Sequence, residues 1–88
     1  MLCLMYEDHF HKDIHRAKKR GKDLTKLFDI ISLLISEMPL PVKNHKHKLV
    51  GEFKDCWECH IEPDWLLIYK KTSISIILAR MGTHSDLF

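Results

Sequence analysis

The amino-acid sequence predicts an α+β domain, a small and mainly antiparallel sheet with an N-terminal αα-hairpin packed on one face. Two observations carry this prediction. The N-terminal part of the chain has apolar residues at helical spacing, whereas the C-terminal part has strand-like runs separated by short turns. Such short connections favour antiparallel neighbours. With 88 residues the chain can bury one small core, so residues 1–88 are expected to form a single domain.

The N-terminal part predicts a short strand and then two helices. The first few residues are apolar enough for the strand. Residues 7–20 carry apolar side chains at helical spacing and are followed by Gly21, the residue type expected just past a helix end. Residues 24–38 carry a broad apolar stripe, which Asp23 can cap and which Pro39 ends. Two helices joined by a tight turn form the αα-hairpin.

The C-terminal part predicts a loop followed by three strands. Residues 42–51 show no periodicity and are rich in lysine and histidine, so they are expected to form a loop. Strand-like runs follow at about residues 52–61, 65–70 and 74–80. A polar tail ends the chain.

Charge is distributed unevenly along the chain, although the net charge is only +2 with neutral histidines. Lysines of the first helix are expected to form a solvated face. The loop is different, because Lys43, Lys46 and Lys48 alternate there with His45 and His47. These residues can present a basic surface to phosphates despite the low total charge.

Several classes of protein are disfavoured. The first residues lack the basic and apolar segments of a signal peptide, and no apolar run approaches transmembrane length. The odd number of cysteines, 3, predicts free thiols in a reducing compartment, so a cytoplasmic location and no membrane partner are expected.

Two patterns suggest a cofactor or a metal but have ordinary explanations. Cys56 to His60 match the C-x-x-C-H pattern of covalent haem attachment, which takes place outside the cytoplasm. On a strand, Cys56 and Cys59 would point to opposite faces and act as packing residues. His11 and His15 are four residues apart but lack the neighbouring glutamate of a metalloprotease. We therefore expect no cofactor and no metal site.

A dispersed set of polar residues lies at strand ends and in loops, where catalytic groups are commonly displayed. The set comprises His47, His60, Asp64 and His84 as candidate catalytic residues. RNA cleavage through the ribose 2′-hydroxyl needs a base, an acid and cations, and imidazoles can serve in each role. Trp65 and Phe88 could stack on unpaired bases. The residues alone thus indicate an RNA-binding or RNA-cleaving domain.

Three motifs also resemble the YafQ-type toxins of the RelE/ParE superfamily, which belong to bacterial type II toxin–antitoxin systems. They are the H-x-L-x-G pattern at residues 47–51, the P-D-W segment at residues 63–65, and the R-x-G-T-H element at residues 80–84. The resemblance implies a RelE-like fold and an endoribonuclease, an mRNA interferase, that cleaves messenger RNA in the ribosomal A site. Gyrase poisons that share this fold lack the histidine set.

Roles follow from the resemblance by position. His47, His60, Asp64 and His84 match catalytic positions, Trp65 and Phe88 match aromatic positions, and Arg80 matches an arginine that acts as a phosphate contact or a structural ion-pair partner. Among the histidines, His84 is expected to be the general acid. Asp64 or His47 is expected to be the base, and His60 is expected to orient the substrate or stabilise its charge. No catalytic metal is expected, because Asp64 is the one acid well placed for catalysis and no carboxylate cluster is evident.

The resemblance also implies a partner and an alternative. The partner is a cognate antitoxin, usually of the ribbon-helix-helix class, and contact with operator DNA would occur only through that antitoxin. Where the family usually has arginine, this chain has Trp57, which cannot bind a phosphate through a guanidinium. A weakened toxin that acts as an antitoxin-binding co-repressor is therefore the alternative function.

Overall fold

The computed structural model describes the backbone of residues 1–88 and every side chain except that of Glu52. Its elements, in chain order, are β1 (Cys3–Tyr6), α1 (Asp8–Lys19), α2 (Leu24–Ile35), β2 (His47–Lys48), β3 (Trp57–Glu62), β4 (Trp65–Lys71), β5 (Ser75–Gly82) and α3 (His84–Leu87). The sheet has the strand order β1-β5-β4-β3-β2. Strand β1 pairs with β5 in parallel, and the other neighbours are antiparallel. The predicted α+β class is confirmed.

The main core lies between the two long helices and one face of the sheet. Phe10 and Ala17 of α1, together with Leu27 of α2, pack there against Leu67 and Tyr69 of β4. Helix α2 begins where predicted, since the side chain of Asp23 accepts a hydrogen bond from the Thr25 N–H. The amphipathic spacing read from the sequence therefore selects the buried faces correctly.

The other face of the sheet carries a smaller apolar cluster. Leu66, Ile68 and Ala79 form it with Cys56 and Leu87. Because β4 is apolar on both faces, this second cluster needs a cover, which the loop before β3 and the C-terminal helix provide. The C-terminal residues are thereby brought onto the open face of the sheet.

The segment predicted as one strand over about residues 52–61 is the main correction to the fold. The structure has a 3-10 turn at Gly51–Phe53, and β3 begins only at Trp57. Asp55, at φ 70°, lies in the left-handed region, which interrupts the extended backbone. Part of the predicted loop instead forms β2, whose His47 pairs with Glu58.

The prediction that Cys56 and Cys59 act as packing residues on opposite faces is confirmed. Cys59 lies in the main core and Cys56 in the smaller cluster across the sheet, so the two thiols face opposite sides. Within the described part of the chain, no helix is both long and apolar enough to cross a membrane.

Candidate active site

One end of the sheet gathers the four candidate catalytic residues. His60 is near the end of β3, Asp64 is in the turn to β4, and His84 begins α3 directly after β5. The imidazole centroids of His60 and His84 are 5.9 Å apart, and those of His47 and His60 are 6.3 Å apart. Residues that are far apart in sequence therefore form a single cluster.

Asp64 orients His84 through two hydrogen bonds to one oxygen. Its Oδ1 accepts from the His84 backbone N–H at 2.9 Å and contacts Nδ1 of the ring at 2.5 Å. The backbone N–H of His84, and then its ring, hold the pKa of the Asp64 carboxyl below its ordinary value. With a proton on Nδ1 facing Asp64, the second ring nitrogen of His84, Nε2, remains for a substrate.

Glu58 is a member of the site that the sequence analysis missed. Its carboxylate is buried, and Oε1 lies 3.2 Å from Nε2 of His47 and 3.3 Å from Nε2 of His60. Glu58 and His60 are two residues apart on β3, and strand alternation therefore puts both side chains on one face. A charged residue two positions before a candidate histidine in a strand was the signal that could have revealed it.

The loop before β2 is fastened to the site. The buried Asn44 donates from Nδ2 to the backbone carbonyl of His60 at 2.7 Å. His45 has a left-handed backbone at φ 45°, and its ring centroid lies 5.4 Å from that of His60. Its carbonyl oxygen lies 2.9 Å from Nδ1 of His47 and can accept a hydrogen bond from it. The imidazoles of His47 and His60 thus contact the buried Glu58 carboxylate, and that of His45 packs beside His60.

The predicted basic loop is divided between two surfaces. Lys43 lines a groove of about 980 Å³ together with His45, His47 and His60. By contrast, the Nζ atoms of Lys46 and Lys48 lie 4.8 and 5.8 Å from the ring centroid of Trp57. Lys48 pairs with Trp57, and His47 pairs with Glu58, so strand alternation places these two lysines on the other side of the sheet edge.

Trp57 is consequently remote from the catalytic cluster. The indole is half-buried and packs against the main core on the helix side. Glu58 and His60 face the opposite side of β3. A side chain at position 57 therefore points away from this cluster, so Trp57 takes no phosphate contact away from it.

The predicted aromatic and arginine contacts have different outcomes. Trp65 is 2% exposed and lies in the main core, so the expectation that it stacks on a base is wrong. Arg80 is turned toward α1, where its Nε donates to Oδ2 of the buried Asp13 at 2.9 Å. Of its two predicted roles, the structure therefore assigns the ion-pair partner. Phe88 is 63% exposed, and its ring lies 5.6 Å from that of Phe53.

The same cluster contains residue types that bind metal ions in other proteins. Among the side chains that the structure describes, no group of three or more histidine, cysteine, aspartate or glutamate residues is arranged to hold a metal ion. Both carboxylates of the cluster, Glu58 and Asp64, face imidazole nitrogens.

Comparison with known families decides the identity. Residues 2–88 match the model of the bacterial toxin of type II toxin–antitoxin systems, YafQ. The chain belongs to the YafQ toxin family. It is 43% identical over 84 residues to the mRNA interferase toxin YafQ of Escherichia coli K12, covering 94% of this chain and 91% of that protein. The alignment therefore spans nearly the whole of both chains.

Solved structures of YafQ-like toxins have the same architecture. The E. coli DinJ–YafQ toxin–antitoxin complex contains a chain with a TM-score of 0.91 and 41% identity, covering 99% of this chain and 97% of that one. A metal-bound toxin from Helicobacter pylori gives a TM-score of 0.93 at 39% identity, with 100% of both chains covered. The predicted RelE-like fold is confirmed by these neighbours.

Proposed function

We propose that this YafQ-family chain is an mRNA interferase, an endoribonuclease that cleaves messenger RNA in the ribosomal A site through the 2′-hydroxyl. The observation that carries the proposal is a pair of imidazoles, His60 and His84, with centroids 5.9 Å apart and a carboxylate against each ring. This separation suits an acid and a base on either side of one phosphodiester. The similarity to the E. coli mRNA interferase toxin YafQ supports the same activity.

His84 is assigned as the general acid. Asp64 holds its Nδ1 edge, so Nε2 can deliver a proton to the departing 5′-oxygen. A carboxylate behind an imidazole also stabilises the protonated ring, as acid catalysis requires. The exposed position of His84 at the start of α3 makes this nitrogen accessible to a substrate.

The base is assigned to His60 rather than to Asp64 or His47. Asp64 is a poor base because its pKa is lowered and its Oδ1 already serves His84. His47 is a less suitable base because both of its ring nitrogens face oxygen acceptors. We assign His47 to stabilising the charge that develops on the phosphorane.

The groove beside the cluster supports binding of a single-stranded message. Lys43, His45 and His47 line its floor and can contact phosphates. Phe88, four residues after His84, has an exposed ring. We assign base stacking to Phe88 alone, because Trp65 is buried. Lys46 and Lys48 are assigned to more distant backbone contacts.

The acid–base pair implies cleavage without a catalytic metal. Imidazoles move both protons, so no metal-bound hydroxide is needed. Because a related H. pylori toxin is metal-bound, this point needs its own test. Toxin treated with a chelator and then transferred to magnesium-containing ribosomes should cleave as fast as untreated toxin. A loss that zinc or copper restores would refute metal independence.

A cognate antitoxin is the proposed partner, as DinJ is for E. coli YafQ. We propose a ribbon-helix-helix protein whose acidic segment covers Lys43, His60 and His84 and competes there with RNA. The protein encoded beside the toxin should co-purify with it, and Lys43→Glu should weaken that binding. Full binding by Lys43→Glu would place the antitoxin elsewhere.

A growth assay and RNA-end mapping test the enzymatic function. Induced wild-type chain should stop growth and cut reporter messages at codon positions, whereas His84→Ala should do neither but still bind the antitoxin. A wild-type chain that binds the antitoxin and leaves messages intact would instead be the co-repressor alternative. The remote position of Trp57 removes the main argument for that alternative.

A further inference from the structure

The segment that carries His84 is too short to be stable by itself. Helix α3 comprises 4 residues, His84–Leu87, and isolated helices of this length do not persist in water. A capping box closes its first turn. Oγ1 of Thr83 accepts from the Asp86 N–H at 3.1 Å, and Oδ2 of Asp86 accepts from the Thr83 N–H at 2.9 Å.

Asp86 has a second set of partners, on α1. Nη1 of Arg20 donates to Oδ2 at 2.6 Å, Nη2 of Arg20 donates to Oδ1 at 3.2 Å, and Nε of Arg16 lies 3.6 Å from Oδ2. The Arg20 hydrogen bond, followed by the Thr83 N–H, holds the pKa of the Asp86 carboxyl well below its usual range. A planar guanidinium on both carboxylate oxygens also fixes the direction of the side chain.

Gly82 permits this close approach. A Cβ atom at Gly82 would lie 2.6 Å from Nη2 of Arg16 and 2.9 Å from Oδ2 of Asp86. The same Arg16 nitrogen donates to the Met81 carbonyl at 2.8 Å and to the buried Asp13 at 3.0 Å. Arg16 is therefore anchored to the buried Asp13 and to the end of β5.

From this geometry we infer that Asp86 is a positioning residue, which with Arg16 and Arg20 holds the turn that aims His84 at the scissile phosphate. The inference rests on the proposed ribonuclease function. His84 is held twice. Asp64 fixes its ring, and the α3 capping box, which Asp86 ties to Arg20 of α1, fixes its backbone. Asp86 itself does not contact RNA and acts through His84.

Removing the charge of Asp86 distinguishes a positioning role from an electrostatic effect on RNA binding. Asp86→Asn removes a negative charge next to an RNA-binding surface, so electrostatics alone would lower KM or leave it unchanged. Positioning predicts a lower kcat instead. Since a misplacement of about 1 Å can lower a rate by about 100-fold, we expect kcat to fall on the order of 10-fold.

The experiment measures kcat and KM on programmed ribosomes, together with a ¹³C NMR titration of Asp64 in the free protein. The variants are Asp86→Asn and Arg20→Ala, with Lys19→Ala as control, because Lys19 also lies at the basic end of α1 but makes no ion pair among the described side chains. We expect lower kcat for both test variants, with the pKa of Asp64 raised toward its ordinary value as the His84 N–H moves away. Lys19→Ala should match the wild type.

Unchanged kcat in both test variants, or lower kcat with an unmoved Asp64 titration, would overturn the inference. If Asp86→Asn does not fold, Arg20→Ala decides alone, because it removes only an exposed side chain. If the wild type cleaves nothing, the proposed function fails, and the Asp64 titration still decides whether Asp86 positions His84.

Discussion

Asp13→Asn should destabilise the domain markedly, because this buried carboxylate joins α1 to β5. Asp13 is 1% exposed, and its Oδ2 accepts from Nε of Arg80 and from the Met81 N–H, both at 2.9 Å. Its Oδ1 accepts from Nη2 of Arg16 at 3.0 Å and from Nη2 of Arg80 at 3.4 Å. Asparagine offers one oxygen, so the donors of the other oxygen would face an NH2 group.

The magnitude follows from the hydrogen bonds that the substitution removes. A hydrogen bond to a charged group contributes about 1.5–3 kcal/mol. Arg16 and Arg80 are 32% and 23% exposed, so solvent screening places each contribution near the lower end. Losing one such pairing and the carboxylate charge should lower the free energy of unfolding by about 2–3 kcal/mol. For a domain of this size the midpoint temperature should fall by roughly 10–20 °C.

Urea and thermal unfolding followed by circular dichroism would measure this effect. Asp8→Asn is the matched control, because Asp8 is an exposed acid in the first turn of the same helix. The control should change the free energy of unfolding by at most about 0.5 kcal/mol. If Asp13→Asn were as mild as the control, the reasoning about the buried carboxylate would be refuted.

Three further outcomes are expected. Glu58→Gln should lower kcat by about 10–100-fold, because it loses one charge-assisted hydrogen bond, while the antitoxin should still bind. Unchanged single-turnover cleavage would exclude Glu58 from the site. Trp57→Arg should leave the cleavage rate no higher than in the wild type. It should lower the free energy of unfolding by about 1–2 kcal/mol, because it adds a cation beside two lysines. Faster message cleavage would contradict the placement of residue 57 on the helix side of the sheet. Burial raises the pKa of the Cys59 thiol to about 12. Iodoacetamide at pH 8 should therefore label the exposed Cys3 and leave Cys59 unmodified. Equal labelling of both cysteines in mass spectrometry would contradict the burial of Cys59.

Local patterns predicted most of the fold but not all of its pairings. Helical spacing and the Asp23 cap defined the hairpin, because these signals depend on neighbours in sequence. The parallel pairing of β1 with β5, in which Cys3 is opposite Ser75, depends on contacts distant in sequence. The short strand β2 was hidden, since two residues are too few to show a period.

The site was predicted in part for the same reason. Motif spacing selected His47, His60, Asp64 and His84, which the structure brings together. It did not show which aromatic residues are exposed. Since β4 is apolar on both faces, alternation alone could not tell that Trp65 faces the main core. Buried carboxylates such as Glu58 were missed because acids in a strand usually face solvent.

A message with sulfur in place of the departing 5′-oxygen tests the central claim most directly, because a thiolate leaves without a general acid. On the normal message, His84→Ala and His60→Ala should each cleave on the order of 10²- to 10⁴-fold more slowly than the wild type. On the sulfur-containing message, His84→Ala should regain nearly the wild-type rate, His60→Ala should stay slow, and the upstream product should end in a 2′,3′-cyclic phosphate. A His84→Ala variant that remains equally slow on this message would contradict the assignment of His84 as the general acid.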